Sequence, residues 1–429
     1  MPSPDSTPHA APDAGPAPRI AYLGPEIPAL SATFIYEELL GLERRGVSIV
    51  SFSVHKPAQV ASGQNHLARR TSVLYDRAAL ALAIDGLAAL PSFGGRAFKA
   101  LGWLARDMTS VGLLRPAAWK LAYQCLVGAR LGRSLKREGC THLHVHFAHA
   151  PAQIAMYASA FSGVPFTITA HANDIFERGL LLCTKAQRAR KLITISNYNL
   201  AYLRSLGVPA NRLALVRCGV SFALRADVPV YESKVHYRVG TLCRLIEKKG
   251  VDTLLGAMVL LRDAPWRVEL SIVGDGPLHS ELKLLVGELR LQDCVQFVGA
   301  IDHTAVPGWM RSLDVFVMAC KRDSHGDMDG IPVVLMEAMS QLVPAVSTRL
   351  SGIPELVVHE TTGLLADADD PASLASELRR LLHSPELRAR LAQNGLAHVQ
   401  GEFGQELNLR RLLACFDIGF DVGQMPRHE

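Results

Sequence analysis

Short runs rich in β-branched and aromatic residues recur along this chain, separated by stretches of helical periodicity, and that alternation leaves few folds open. RIAYLG opens as a buried strand, residues 33–45 carry helical spacing, and VSIVSFSV follows as the next strand. Further on come THLHVHF, a helical stretch, PFTITAH and KLITIS; Ser196 then stands where it can cap the helix of NYNLAYLRSL, before LALVRCG. A strand–helix–strand series of this kind builds a parallel sheet with right-handed crossovers. The pattern pauses in the polar, Pro-bearing SFALRADVPVYESK. It resumes with YRVGTL, the helix of VDTLLGAMVLLRD, VELSIVG, a helix after Pro277, VQFVG, a helical turn near Trp309 and VFVMAC.

A chain of 429 residues is too long for one ordinary core. Two Rossmann-like α/β domains are therefore expected, over 19–222 and 223–400, with a helical segment at 401–429 returning to the first domain. Residues 1–18 are Pro, Ala and Ser with neither a basic start nor an apolar centre, which reads as a disordered tail rather than a signal peptide. The longest apolar stretch, AALALAIDGLAALP, is broken by Asp85 and is too short to span a bilayer. Eight cysteines form no CxxC pair, which fits a reducing cytoplasm without structural zinc. Open parallel sheets bind ligands beyond the carboxyl ends of their strands, so a cleft between the two domains is the expected site.

The stretch DGIPVVLMEAM, residues 329–339, fits such a cleft. Pro332 suits a first helical position, and a helix from there through Met339 would aim its N-terminal amides at an anion. Asp329 would lie on the loop before the helix and Glu337 more than a turn inside it, on a stretch with almost no other polar residue. The loop RLIEKKG brings Arg244 and Lys249, which read equally well as a phosphate cradle or a solvated basic turn. In TITAHANDIF, His171 follows a strand end, with Asp174 placed to orient it or to cap the next helix. Gly274 and Gly276 of VGDGPL turn a strand into a helix, and Ser31 and Thr33 occupy the first strand-to-helix loop. Alternation along HLHVHFAHA puts His142, His144 and His146 on one strand face. No Cys or carboxylate cluster joins them in sequence, so the expected reading is packing against the sheet, with no metal.

The order and spacing of these motifs resemble the retaining glycosyltransferases of the GT-B fold, over roughly 400 residues of the chain. The family carries a Glu, seven residues and a second Glu, then a small-residue helix, a strand and a GIPE turn; here the text reads DGIPVVLMEAMSQLVPAVSTRLSGIPELV. The likeness is greatest to bacterial exopolysaccharide and lipopolysaccharide transferases. It implies metal-independent transfer of a sugar from a UDP- or GDP-linked donor to a glycan or lipid-linked saccharide, with no cofactor. It assigns the diphosphate to Arg244 and Lys249, the ribose to Glu337, and the donor sugar hydroxyls to Asp329, which stands where the family has Glu. It also implies that the amides of Gly330, Ile331 and Val333 line the sugar and phosphate, that Gly276 borders the nucleotide, and that His171 reaches the reacting oxygens. Ser31, Thr33 and Asp174 would border donor or acceptor. The rival functions are a sugar-nucleotide epimerase of the same fold, which needs no acceptor, and a non-catalytic glycan-binding scaffold.

Residues 61–140 hold twelve Lys and Arg against four Asp and Glu, a surplus of 12 − 4 = 8, whereas the whole chain nets +5. Between the charges the segment is apolar. Two readings stand: a peripheral contact with anionic lipid on the inner face of the cytoplasmic membrane, in which Arg130, Arg133, Lys136 and Arg137 take part, or core packing under a solvated basic face. Few aromatics and no known module speak for nucleic acid.

Overall fold

The computed structural model describes residues 18–29, 33–60, 62–221, 227–262 and 264–417. The expected tail and the expected junction at 222 lie essentially outside them. Seven strands form the first sheet: β1 (Arg19–Gly24), β2 (Ser48–Ser53), β3 (Ser72–Val73), β4 (His142–His146), β5 (Phe166–Ala170), β6 (Leu192–Thr194) and β7 (Leu213–Leu215). Six form the second: β8 (His236–Leu242), β9 (Arg267–Val273), β10 (Val295–Gly299), β11 (Val315–Val317), β12 (Ala345–Thr348) and β13 (Leu364–Ala366). All neighbours pair parallel, in the orders β3-β2-β1-β4-β5-β6-β7 and β10-β9-β8-β11-β12-β13. Each sheet is doubly wound, with its order reversing between β1 and β4 or between β8 and β11, and ligand crevices open at such reversals.

Each sheet has its own core. Val239, Leu270, Ile272, Phe316 and Val346 anchor the second, with Leu391, Val399 and Phe403 of the helix Pro385–Phe403 packed over them. The chain then crosses back. In the helix Gln405–Phe416, Leu409, Leu412, Leu413 and Phe416 pack with Ile20, Tyr22, Ile35 and Leu39 of the first domain. This helix covers the histidine face of β4: the ring of His142 stacks on Phe416 at 4.6 Å, and His142, His144 and His146 are all buried.

The two domains meet through named contacts. Glu355 of the second accepts hydrogen bonds from the amides of Asn197 (2.9 Å) and Tyr198 (2.9 Å), at the start of the helix Asn197–Ser205, and pairs with Arg217 at 2.9 Å. A carboxylate at a helix N-terminus is favoured by the unpaired amides there, so Glu355 joins Ser196, the helix's own cap, in satisfying them. A Cβ on Gly352 would lie 2.8 Å from that of Ser196, and one on Gly330 3.0 Å from Ile195, so neither position has room for a side chain without movement.

Two local expectations shift. Pro332 is the residue before the helix, at φ −64° and ψ 123°, and the helix runs Val333–Ser340. Proline's fixed φ suits the capping position as well as the first helical one. Arg130 is not a solvated cation: it bonds the Leu74 carbonyl at 2.8 Å and pairs with Asp76 at 3.1 Å.

Candidate active site in the interdomain cleft

A cavity of about 210 Å³ lies between the domains, lined by Thr33, Phe34 and Glu37 from the first and by His303, Val333 and Glu337 from the second. Thr33 begins the helix Thr33–Glu43 and Val333 begins the helix Val333–Ser340, so two helix starts open on one space. Glu337 is half-buried one turn into the second helix, where Leu335, Met336, Ala338 and Met339 pack on the sheet. Its carboxylate lies 3.9 Å from His303 Nε2. The nearby Glu337 carboxylate, with Glu37 and Asp302 further off, raises the His303 pKa. No spacing in the sequence marks His303; it stands in a polar turn before the helix Val306–Arg311.

Lys249 and Asp329 form a second cluster. Their side chains meet at 2.6 Å, and Lys248 spans to Asp327 at 2.7 Å and to Asp329 at 3.7 Å. Gly250 makes the approach possible. It sits at φ +62°, and a Cβ there would collide with the Ala319 carbonyl at 1.9 Å, so only glycine lets the lysine loop close onto the strand end preceding Asp329. Burial alone would raise the Asp329 carboxyl; the charges of Lys249 and Lys248 outweigh it and hold the group below the usual range. Asp329 makes Lys249 correspondingly harder to deprotonate, against burial. The shorter acid is thus spent on a lysine of its own domain. Lys248, which the motif reading of the loop passes over, is a member of the cluster.

Arg244 is exposed and makes no ion pair or side-chain hydrogen bond among the described residues. Gly276 packs against the next residue of that loop: a Cβ would meet the Leu245 carbonyl at 2.4 Å, so this glycine allows two loops to pack. Ile331 is buried. Ser31 lies outside the described residues.

His171 is nearly buried at the carboxyl end of β5, with Phe34 at 4.8 Å and Phe147 at 4.7 Å between ring centroids. Phe147 holds φ 71°, in the left-handed region that non-glycine residues seldom occupy. Burial, then the neighbouring His146 and His149, keep the His171 pKa well below its ordinary value, so the ring is neutral at pH 7. Asp174 corrects an expectation. It neither orients the His171 ring nor borders the cleft; fully buried, its carboxylate accepts from the backbone amides of His171, at 2.8 Å, and Ala148. Burial pushes its pKa up to about 6. Two amides converging from adjacent strand ends captured the acid, and neither is visible in a linear motif. The carboxylate that the strand histidines lacked in sequence is Glu38: its ligand atom and those of His144 and His146 all lie within 4.8 Å of one another.

Residues 233–398 match the family described as "Glycosyl transferases group 1", and residues 91–224 match "Glycosyltransferase Family 4". The amylovoran biosynthesis glycosyltransferase AmsK of Erwinia amylovora is 31% identical over 279 residues, which are 63% of this chain and 68% of that protein. A GDP-mannose-dependent alpha-(1-6)-phosphatidylinositol monomannoside mannosyltransferase of Mycobacterium tuberculosis is 30% identical over 239 residues, 54% of this chain and 62% of that one. Among solved structures, Anabaena Alr3699/HepE in complex with UDP and glucose superposes with a TM-score of 0.67 at 16% identity, covering 92% of this chain and 98% of that one. That likeness is one of fold.

Proposed function

The chain belongs to the group 1, family 4 glycosyltransferases, and from that premise we propose that it transfers a sugar from a UDP- or GDP-linked donor to a glycan or lipid-linked saccharide of a bacterial surface polysaccharide, with retention and without a metal. One observation carries this reading: the start of the helix Val333–Ser340 and the Glu337 carboxylate share a single interdomain cavity, beyond the strand ends of both sheets. A ribose offers two vicinal hydroxyls that can both donate to Glu337. Charge developing on the departing diphosphate needs cations, and of the basic groups in the loop after β8, Arg244, Lys248 and Lys249, the family pattern assigns Arg244 and Lys249 to it. A thermal-shift panel of UDP-, GDP- and ADP-sugars tests the donor. Turnover of the stabilising donor should survive EDTA, and NMR of the product should show the donor's anomeric configuration retained. Loss of turnover in EDTA with rescue by manganese would overturn the metal-free route.

A lipid-linked acceptor fits a second feature. The helices Ala79–Ala89 and Gly95–Val111 both pack on the helix Pro116–Arg137, yet leave Leu80 (74% exposed), Ile84, Leu87, Phe98 (80%) and Leu101 in solvent, with Leu114 fully exposed at the following turn. Lys99, Arg106, Arg115 and Lys120 flank them, all exposed. Large apolar side chains beside cations suit the boundary of an anionic bilayer. No helix among the described residues is long and apolar enough to cross one. Replacing Leu80, Ile84, Phe98 and Leu114 together by Ser should abolish sedimentation with anionic vesicles and leave UDP affinity unchanged. Equal binding to neutral and anionic vesicles, or none by the parent protein, would remove the membrane from the reading.

A further inference from the structure

His171 does not stand alone at the cleft. Its Nε2 lies 3.5 Å from Nδ1 of His146, a long contact of the kind that tightens when a site is occupied. The Nε2 of His146 lies 2.9 Å from Glu38 Oε1, and the same oxygen accepts from the Tyr22 hydroxyl at 2.9 Å. Burial, and then Glu38, hold the Tyr22 pKa well above its ordinary value, so the phenol keeps its proton and donates. These groups come from four places in the chain: β1, the helix Thr33–Glu43, β4 and the loop after β5.

We infer that Glu38 and His146 set the tautomer of His171, fixing it as a hydrogen-bond acceptor at Nδ1. A carboxylate only accepts, so the nitrogen of His146 facing Glu38 must carry hydrogen. In a neutral ring the other nitrogen, Nδ1, is then bare and accepts. It can accept only if Nε2 of His171 carries hydrogen, which leaves His171 Nδ1 bare in turn. That atom has no protein partner among the described residues. Resting on the placement of His171 at the donor site, this polarity means that His171 receives a hydrogen bond from a substrate hydroxyl. It does not donate one to the leaving phosphate. Glu38 and His146 are positioning residues.

The same atoms could also close on a metal ion, since Glu38, His144 and His146 lie within reach of one another. The hydrogen bonds satisfy them without one. His144 places Nδ1 2.8 Å from the Thr167 hydroxyl and Nε2 3.2 Å from that of Thr169, and burial keeps its ring neutral.

Long-range proton–nitrogen correlation spectra of the full chain, labelled with nitrogen-15 histidine and recorded at pH 7.5 with and without UDP, read the tautomer directly. His171 should show hydrogen on Nε2 and a bare Nδ1. In His146→Phe, which keeps a ring in the stack, and in Glu38→Leu, that single tautomer should give way to a mixture. The kcat should then fall about ten- to a hundredfold, as for a misplaced reacting group, with UDP affinity unchanged. Hydrogen on Nδ1 of His171 in the parent protein, or an unaltered tautomer in both variants, would overturn the inference. So would a stoichiometric transition metal in the purified protein that His146→Phe loses. A His171→Ala protein with the parent kcat would sink the placement of His171 at the reacting centre, whereas the tautomer readout stands or falls without reference to turnover.

Discussion

Replacing Lys249 by Met should lower turnover by roughly 10²–10³, the cost of removing one preorganised charge from a developing anion. The effect has a structural companion, because Lys249 neutralises Asp329 at 2.6 Å in a nearly closed environment. Losing one partner of a buried pair costs about 3–5 kcal/mol. In the parent protein the Asp329 pKa is depressed below its unfolded value of about 3.9. The group therefore contributes stability above that pH, and the contribution is lost as pH falls through the folded pKa. Without Lys249, burial acts with less opposition and the shift should change sign, so the variant should gain stability on acidification. Melting temperature against pH reads this directly. The double variant Lys249→Met with Asp329→Asn should recover stability and not turnover, which separates the charge needed for chemistry from the charge needed by its neighbour. Full turnover in Lys249→Met would take the lysine out of the site.

Glu337→Ala should weaken UDP or GDP, whichever base the enzyme takes, by about 1–3 kcal/mol, the worth of hydrogen bonds to a charged acceptor. A nucleoside diphosphate should lose as much as the intact donor, because the ribose is common to both. Calorimetry with the diphosphate alone measures it. The helix should survive, since Leu335, Met336, Ala338 and Met339 hold it to the core. A second readout needs no ligand: Glu337 raises the His303 pKa, so a proton NMR titration should find His303 titrating lower in the variant, towards about 6.5. A lowered His303 pKa with unchanged diphosphate affinity would leave Glu337 in the cavity and remove it from the nucleotide.

The strands, their alternation with helices and the division into two sheets were legible because burial on both faces of a parallel sheet forces apolar runs, and such runs survive in any reading of the chain. Ser196 as a helix cap was legible for a similar reason: the cap bonds an amide three residues on, so cause and effect lie within one turn. The opening of a helix near Pro332, with Glu337 one turn inside it, followed from the same local rules. Nothing local could assign partners. Asp329 and Lys249 are 80 positions apart and meet because β8 and β11 are neighbours in the sheet. Asp174 turned inward because the ends of β4 and β5 present two amides at one point, and Glu355 joined the domains because the start of the helix Asn197–Ser205 faced it across the cleft. Charge counting found the unusual segment at 61–140, but the helices Ala79–Ala89 and Gly95–Val111 decided that Leu80, Ile84, Leu87 and Phe98 face solvent while Leu82, Phe93 and Ala100 pack inward. The sequence by itself determined the main strands and helices, the parallel α/β class and the family's motif positions, since these depend on periodicity and on bonds within a few residues. The tertiary structure alone decided which charges pair, which hydrogen bonds a buried acid makes and which way a histidine carries its proton, because those energies fall off over a few ångströms of space and take no account of separation along the chain.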